Sequence, residues 1–227
     1  MNKNLTEVVF IIDESGSMHG LEKDTIGGIN STLTKQKKEE GECLISTIFF
    51  NTKNRMIHDR IDIKQVNGLK EDDYLPSGCT ALIDAIGDAI THIKKVHKYI
   101  REEDVPVKTL FIITTDGMEN ASTKYTQKEV KEMIESQKEK GWEFIYLAAN
   151  IDALSSAKEY GISEECCTDY INDQKGNEIK YACMSEAIST IRKEKRLGRK
   201  WSQRAKDDYK KRKYKGSDRF LILWCRL

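Results

Sequence analysis

The residues of this chain best suited to chemistry fall in three short polar clusters. The first is Asp13-Glu14-Ser15-Gly16-Ser17, the second Gly78-Cys79-Thr80 and the third Thr115-Asp116-Gly117. Asp13, Ser15, Ser17, Thr80 and Asp116 together offer two carboxylates and three hydroxyls, with no imidazole or thiolate among them. That donor set suits a hard divalent cation: Mg²⁺ takes six oxygens in a near-regular octahedron at about 2.0–2.1 Å and keeps some of its waters. In the D-x-S-x-S spacing a tight turn aims alternate side chains inward, and Gly16 eases that turn. Two carboxylates only neutralise a divalent ion, and neutral hydroxyls add no charge. A cation held this way with one position open stays electrophilic and can accept an anion, such as an Asp or Glu from another protein. Each cluster also has a plainer reading. A D-x-S-x-S loop commonly serves as turn and helix-cap chemistry, Thr80 could be the N-cap of a helix starting at Ala81, and Asp-Gly is an ordinary turn.

The elements around the clusters decide between these readings. Val8–Ile12 is a continuous apolar run, as in a strand buried on both faces of a parallel sheet. Leu21–Lys38 follows as a helix carrying Leu21, Ile26, Ile29 and Leu33 on one side. Leu44–Phe50 is a second strand, and the spacing around Asn51–Asn54 predicts a hairpin into an antiparallel strand at Arg55–Arg60, with Asp62–Val66 as a further extended segment. Pro76 and Gly78 mark a loop over 72–79. Ala81–Tyr99 is a helix with a stripe of Leu82, Ile86, Ile90, Ile93 and Val96. Val107–Thr114 is a strand, Tyr125–Lys140 a helix stopped at Gly141, Phe144–Ala148 a strand and Asp152–Tyr160 a short helix. Cys166–Tyr170 is expected at a sheet edge and Gly176–Arg192 as a last helix. Strand–helix alternation of this kind predicts an open, mostly parallel α/β sheet covered on both faces. Ligands of such sheets bind beyond the carboxyl ends of the strands, where strand order reverses. All three clusters fall at those ends.

With 227 residues, 38% hydrophobic and 33% charged, the chain has the composition of a soluble domain with an appendage. No run approaches the roughly 20 apolar residues that span a bilayer, and Val8–Ile12 is short for a leader's core of roughly 7–15 residues. The expectation is a cytoplasmic protein with no membrane partner. The six cysteines show no CxxC spacing and are read as reduced thiols. Net charge is divided: residues 192–227 hold 15 Lys/Arg against 4 Asp/Glu (+11), leaving 23 against 33 (−10) for residues 1–191. Residues 193–227 are therefore set apart as a basic C-terminal extension, flexible or docked on the acidic body, following a domain over 1–192.

The chain resembles von Willebrand factor type A domains. Phe10-Ile11-Ile12-Asp13-Glu14-Ser15-Gly16-Ser17-Met18 matches the family's opening motif. Thr80 in Gly78-Cys79-Thr80-Ala81-Leu82 and Asp116 in Ile113-Thr114-Thr115-Asp116-Gly117 match the other two parts of its metal-ion-dependent adhesion site. The resemblance covers about Glu7–Arg192. It implies a Rossmann-like, doubly wound sheet with one antiparallel edge strand, direct ligation by Ser15, Ser17 and Thr80, and Asp13 and Asp116 acting partly through water. It also implies a stand-alone arrangement like that of bacterial cytoplasmic members. The expected function is a non-enzymatic, Mg²⁺-dependent protein-binding module, with Mn²⁺ or Ca²⁺ as substitutes and a partner's Asp or Glu as its ligand. Two alternatives stand beside it. A Mg²⁺-dependent phosphatase-like hydrolase would need an acid/base carboxylate where D-x-D enzymes carry one, and here that position is Ser15. Nucleic-acid binding would use the basic tail around Lys210-Lys211-Arg212-Lys213 with Tyr209 and Tyr214.

Weaker signals surround the site. Glu119 and Asn120 could orient metal-bound water or make loop hydrogen bonds, and Glu14 could project outward and bias partner choice. His19 could touch a partner at the rim. His58 reads as a strand residue, and His92 and His97 read as members of a solvated helix face. The apolar ending Phe220-Leu221-Ile222-Leu223-Trp224 could be a docking strand or an aggregation-prone end.

Overall fold

The computed structural model describes the backbone of residues 1–150 and 152–224, and side chains to residue 213 except Ile151. Its centre is a six-stranded sheet of β1 (Asn2–Asp13), β2 (Glu42–Phe50), β3 (Asn54–Asp62), β4 (Pro106–Thr115), β5 (Glu143–Ala148) and β6 (Cys167–Asp169). The strand order is β3-β2-β1-β4-β5-β6. All neighbours are parallel except β2 and β3, so the one antiparallel strand lies at an edge, as expected of a Rossmann-like sheet.

The uninterrupted apolar runs are explained by burial on both faces. Along β1, Val8, Phe10 and Ile12 enter one core while Val9 and Ile11 enter the other. Leu110 and Ile112 alternate with Phe111 and Ile113 along β4 in the same way. Helices α1 (Glu22–Gln36) and α5 (Gln174–Glu194) cover the first face. The second is covered by α2 (Leu82–Tyr99), α3 (Gln127–Lys138) and α4 (Ala153–Glu159). The predicted α2 stripe is buried at Leu82, Ile86, Ile90 and Ile93. Gly28 permits a close approach of α1 to α5, because a Cβ there would lie 1.9 Å from the Tyr181 ring.

Three local expectations are corrected. Residues 62–66 form a turn, with the amides of Gln65 and Val66 both donating to the Asp62 carbonyl, and Ile63 and Val66 drop into the core. His97 is not on a solvated face: its Nε2 lies 2.6 Å from Oε2 of the fully buried Glu7, whose Oε1 accepts from Arg60 Nε at 2.5 Å. A buried carboxylate needs such partners, and α2 brings His97 over the middle of β1 to provide one. The backbone of Phe220–Trp224 continues a helix rather than forming a strand, while the side chains there and residues 225–227 lie outside the described residues. That helix, α6 (Gln203–Trp224), begins beside β6 and α5. Trp201, just before it, is 1% exposed and donates from Nε1 to the Glu165 carbonyl at 3.0 Å. Arg212 reaches Asp173, the N-cap of α5, at 2.5 Å.

Candidate metal centre

The reversal of strand order falls between β1 and β4. β1 leads through α1 to β2 on one side, and β4 lies on the other. Register pairs Ile12 with Thr114, so Asp13 and Thr115 end neighbouring strands side by side. Backbone hydrogen bonds then tie the three loops together. Gly16 N–H donates to the Gly78 carbonyl at 3.1 Å, Ser77 N–H to Glu14 at 2.9 Å, and Asn120 N–H to Thr80 at 3.0 Å. Gly78 makes its turn at φ +70°, a conformation that disfavours a side chain.

Within this frame the predicted residues come together. Ser15 Oγ and Ser17 Oγ are 3.1 Å apart, and Ser17 Oγ donates to Asp116 Oδ1 at 2.5 Å. Asp13 accepts from Ser15 N–H through Oδ1 at 2.8 Å and from Thr115 Oγ1 through Oδ2 at 2.7 Å. Thr80 Oγ1 and Ser17 Oγ both border the space beside Gly117, at 3.7 and 3.9 Å from where its Cβ would stand. Asp13, Ser15, Thr80 and Asp116 are all buried. The plain cap readings do not hold, because neither Ser15 nor Thr80 caps the following helix through its side chain and the N-cap of α2 is Ala81. The hydroxyls therefore face the cluster.

This arrangement fits a hard cation. Adjacent ligand oxygens on an octahedron of Mg²⁺ size are separated by about 2.9 Å, close to the Ser15–Ser17 spacing. The Asp116 carboxyl is pushed above the ordinary carboxylate range, chiefly by burial and further by Asp13, while Ser17 and Lys180 pull it back. Anions so placed are costly unless a positive charge meets them. Among the described residues no cluster of three His, Cys, Asp or Glu side chains forms, so a cation here would need the hydroxyls beside the two carboxylates.

The structure also shows supports that the sequence did not flag. Thr115 orients Asp13, and Asn172 Nδ2 donates to Asp116 Oδ2 at 3.0 Å. Asn150, at φ +59°, donates to the Asp116 carbonyl at 3.3 Å. Tyr74 Oη donates to the Asp13 carbonyl at 2.5 Å. Asn150 and Asn172 follow the ends of β5 and β6, a position that would have marked them. Glu14 is corrected: it points inward and accepts from Arg55 at 2.6 Å and Leu75 N–H at 2.7 Å. Glu119 ties loops by accepting from the amides of Ala121, Ser122 and Ile83, and Asn120 Oδ1 accepts from Thr80 N–H. Their hydrogen bonds are those of loop clamps. His19 is exposed at the rim, beside Glu22.

No protein-family model and no curated protein sequence matches the chain. Solved structures do match in fold. The vWF domain of the type V pili tip protein Mfa5 from Porphyromonas gingivalis aligns with 83% of this chain and 96% of its own, at TM-score 0.60 and 11% identity. A von Willebrand factor type A protein from Catenulispora acidiphila aligns with 82% of this chain and 42% of its own, at TM-score 0.56 and 16% identity. Proximal thread matrix protein 1 of the mussel byssus, with a zinc-occupied MIDAS motif, aligns over 83% and 46%, at TM-score 0.57 and 15% identity. The chain thus spans less than half the length of the last two. It has the von Willebrand factor A fold: a mostly parallel sheet with one antiparallel strand between two helical layers.

Proposed function

We propose that the chain is a metal-dependent protein-binding module, in which Asp13, Ser15, Ser17, Thr80 and Asp116 hold a Mg²⁺-type cation that takes an acidic side chain of a partner. The observation that carries the reading is the meeting of two carboxylates and three hydroxyls from three loops, with none of those hydroxyls serving as a helix cap. The mussel protein whose MIDAS motif is zinc-occupied supports a divalent ion in this fold. A cation there would supply electrophilic attraction for a carboxylate. The protein's own part is to orient the oxygens and keep the pocket dry. Leu75 and Met118, 62% and 73% exposed on the second and third loops, offer apolar contact around a bound acid. The reading is non-enzymatic, because Ser15 occupies the position of an acid/base carboxylate and Glu14 is engaged by Arg55. The cysteines Cys43, Cys79, Cys166, Cys167 and Cys183 are free, which supports a reducing compartment, and we place the protein in the cytoplasm.

Isothermal titration tests the reading. Mg²⁺ or Mn²⁺ should bind the wild type with one-to-one stoichiometry and fail to bind Asp13→Ala. An acidic peptide should then bind only in the absence of EDTA. Equal metal affinity in the two proteins would refute the assignment.

A further inference from the structure

One charged side chain in the core is not used by the ligand set. Lys180 lies in the second turn of α5 and is 1% exposed. Its Nζ is held between two aromatic rings, 4.6 Å from the centroids of both Tyr170 and Tyr181. Tyr170 in turn donates from its hydroxyl to the Thr115 carbonyl at 3.4 Å, so the ring that the lysine packs on touches the end of β4, one residue before Asp116. The charged groups acting on it are Asp13 of β1, Asp116 after β4 and Asp24 of α1, all of which favour its protonated form. Burial opposes that form and brings the amine down to about 7. No ion pair joins Lys180 to Asp13 or Asp116 among the described residues, so its head group does not fill the space between the ligands.

Packing alone does not account for this residue. A methionine would fill the same volume at no desolvation cost, whereas an ammonium taken from water costs several kcal/mol unless nearby charge and aromatic faces offset it. Its electrostatic consequence is specific. Two carboxylates and a divalent ion sum to zero, and Lys180 in its protonated form adds one positive charge. That charge opposes the metal and attracts the anion that follows it.

We propose that Lys180 is a specificity-determining residue of the metal centre, an internal cation that weakens metal binding and makes the loaded site select an anionic group. This rests on the function proposed above and deepens it.

The test measures two affinities on the full chain: Mn²⁺ alone, by electron paramagnetic resonance, and then acetate titrated into the Mn²⁺-loaded protein. In Lys180→Met at pH 6, Mn²⁺ should bind about tenfold tighter and acetate about tenfold weaker, on the order of one charge's effect in a medium of effective dielectric near 20. Lys180→Gln should behave alike, and Lys180→Arg should stay near the wild type. Opposite shifts in the two affinities are what a merely structural lysine would not produce. Loss of both affinities in a folded variant, or no change in either, would overturn the proposal while leaving the metal site standing. Wild-type protein that binds no Mn²⁺ would overturn the site and the proposal together. If the neutral variants do not fold, the wild type carries the test: acetate affinity should fall between pH 6 and pH 8, where acetate stays ionised, and a flat profile would overturn the proposal.

Discussion

Replacing Asp116 with asparagine should separate the cost of the metal-free site from its use. Asp116 is 2% exposed, and burial and Asp13 both disfavour its ionised form. Asparagine can keep both hydrogen bonds, its oxygen accepting from Asn172 Nδ2 and its amide donating to Ser17 Oγ. The change removes a carboxylate–carboxylate repulsion and also the attraction to Lys180, so the net gain is on the order of 1 kcal/mol. With metal the sign reverses. At a Mg²⁺ concentration near 100 times its Kd the wild type gains about 2.7 kcal/mol, which for a chain of this size raises Tm by roughly 5–10 °C. Differential scanning calorimetry with EDTA and with Mg²⁺ should show Asp116→Asn melting slightly above the metal-free wild type and unmoved by Mg²⁺. A variant less stable than the wild type in EDTA, or one still stabilised by Mg²⁺, would refute the reasoning.

Other outcomes follow from the packing and the charges. Gly28→Ala places a Cβ against the Tyr181 ring and should cost about 1–3 kcal/mol by overpacking, read as a lower urea midpoint at unchanged slope. Trp201→Ala removes a buried indole and its bond to Glu165 and should cost about 3–5 kcal/mol; near-wild-type stability would mean that the basic extension does not rest on the body. The unfolded Lys180 amine titrates near its ordinary 10.5 and the folded one near 7, so between those values the unfolded state holds more protons. Metal-free stability should therefore rise with pH from about 7 to 10 relative to Lys180→Met, and the penalty should be fully present below pH 7. Cys43, buried and pushed up to about 12, should resist alkylation at pH 8 while exposed Cys79 reacts, as mass spectrometry of the labelled chain would show.

The sequence by itself determined the sheet and placed three polar loops at the carboxyl ends of its strands. A strand buried on both faces must be apolar at every position, and only a parallel sheet between two helical layers needs several such strands, so Val8–Ile12 and Leu110–Ile113 could be read directly. The grouping of Asp13, Ser15, Ser17, Thr80 and Asp116 was legible because the polar residues that end such strands converge at one edge of this sheet type. The tertiary structure alone decided which polar side chains face inward. Glu14, His97 and Lys180 each sit in segments whose composition looks solvated, and nothing local distinguishes a carboxylate bound by Arg55, an imidazole on Glu7 or an amine between two tyrosines from one in water. Periodicity tells which face of a helix is buried, but not what meets it from another layer. Burial of a charge depends on that partner, and the partners here come from elements 41 to 167 residues away in the chain.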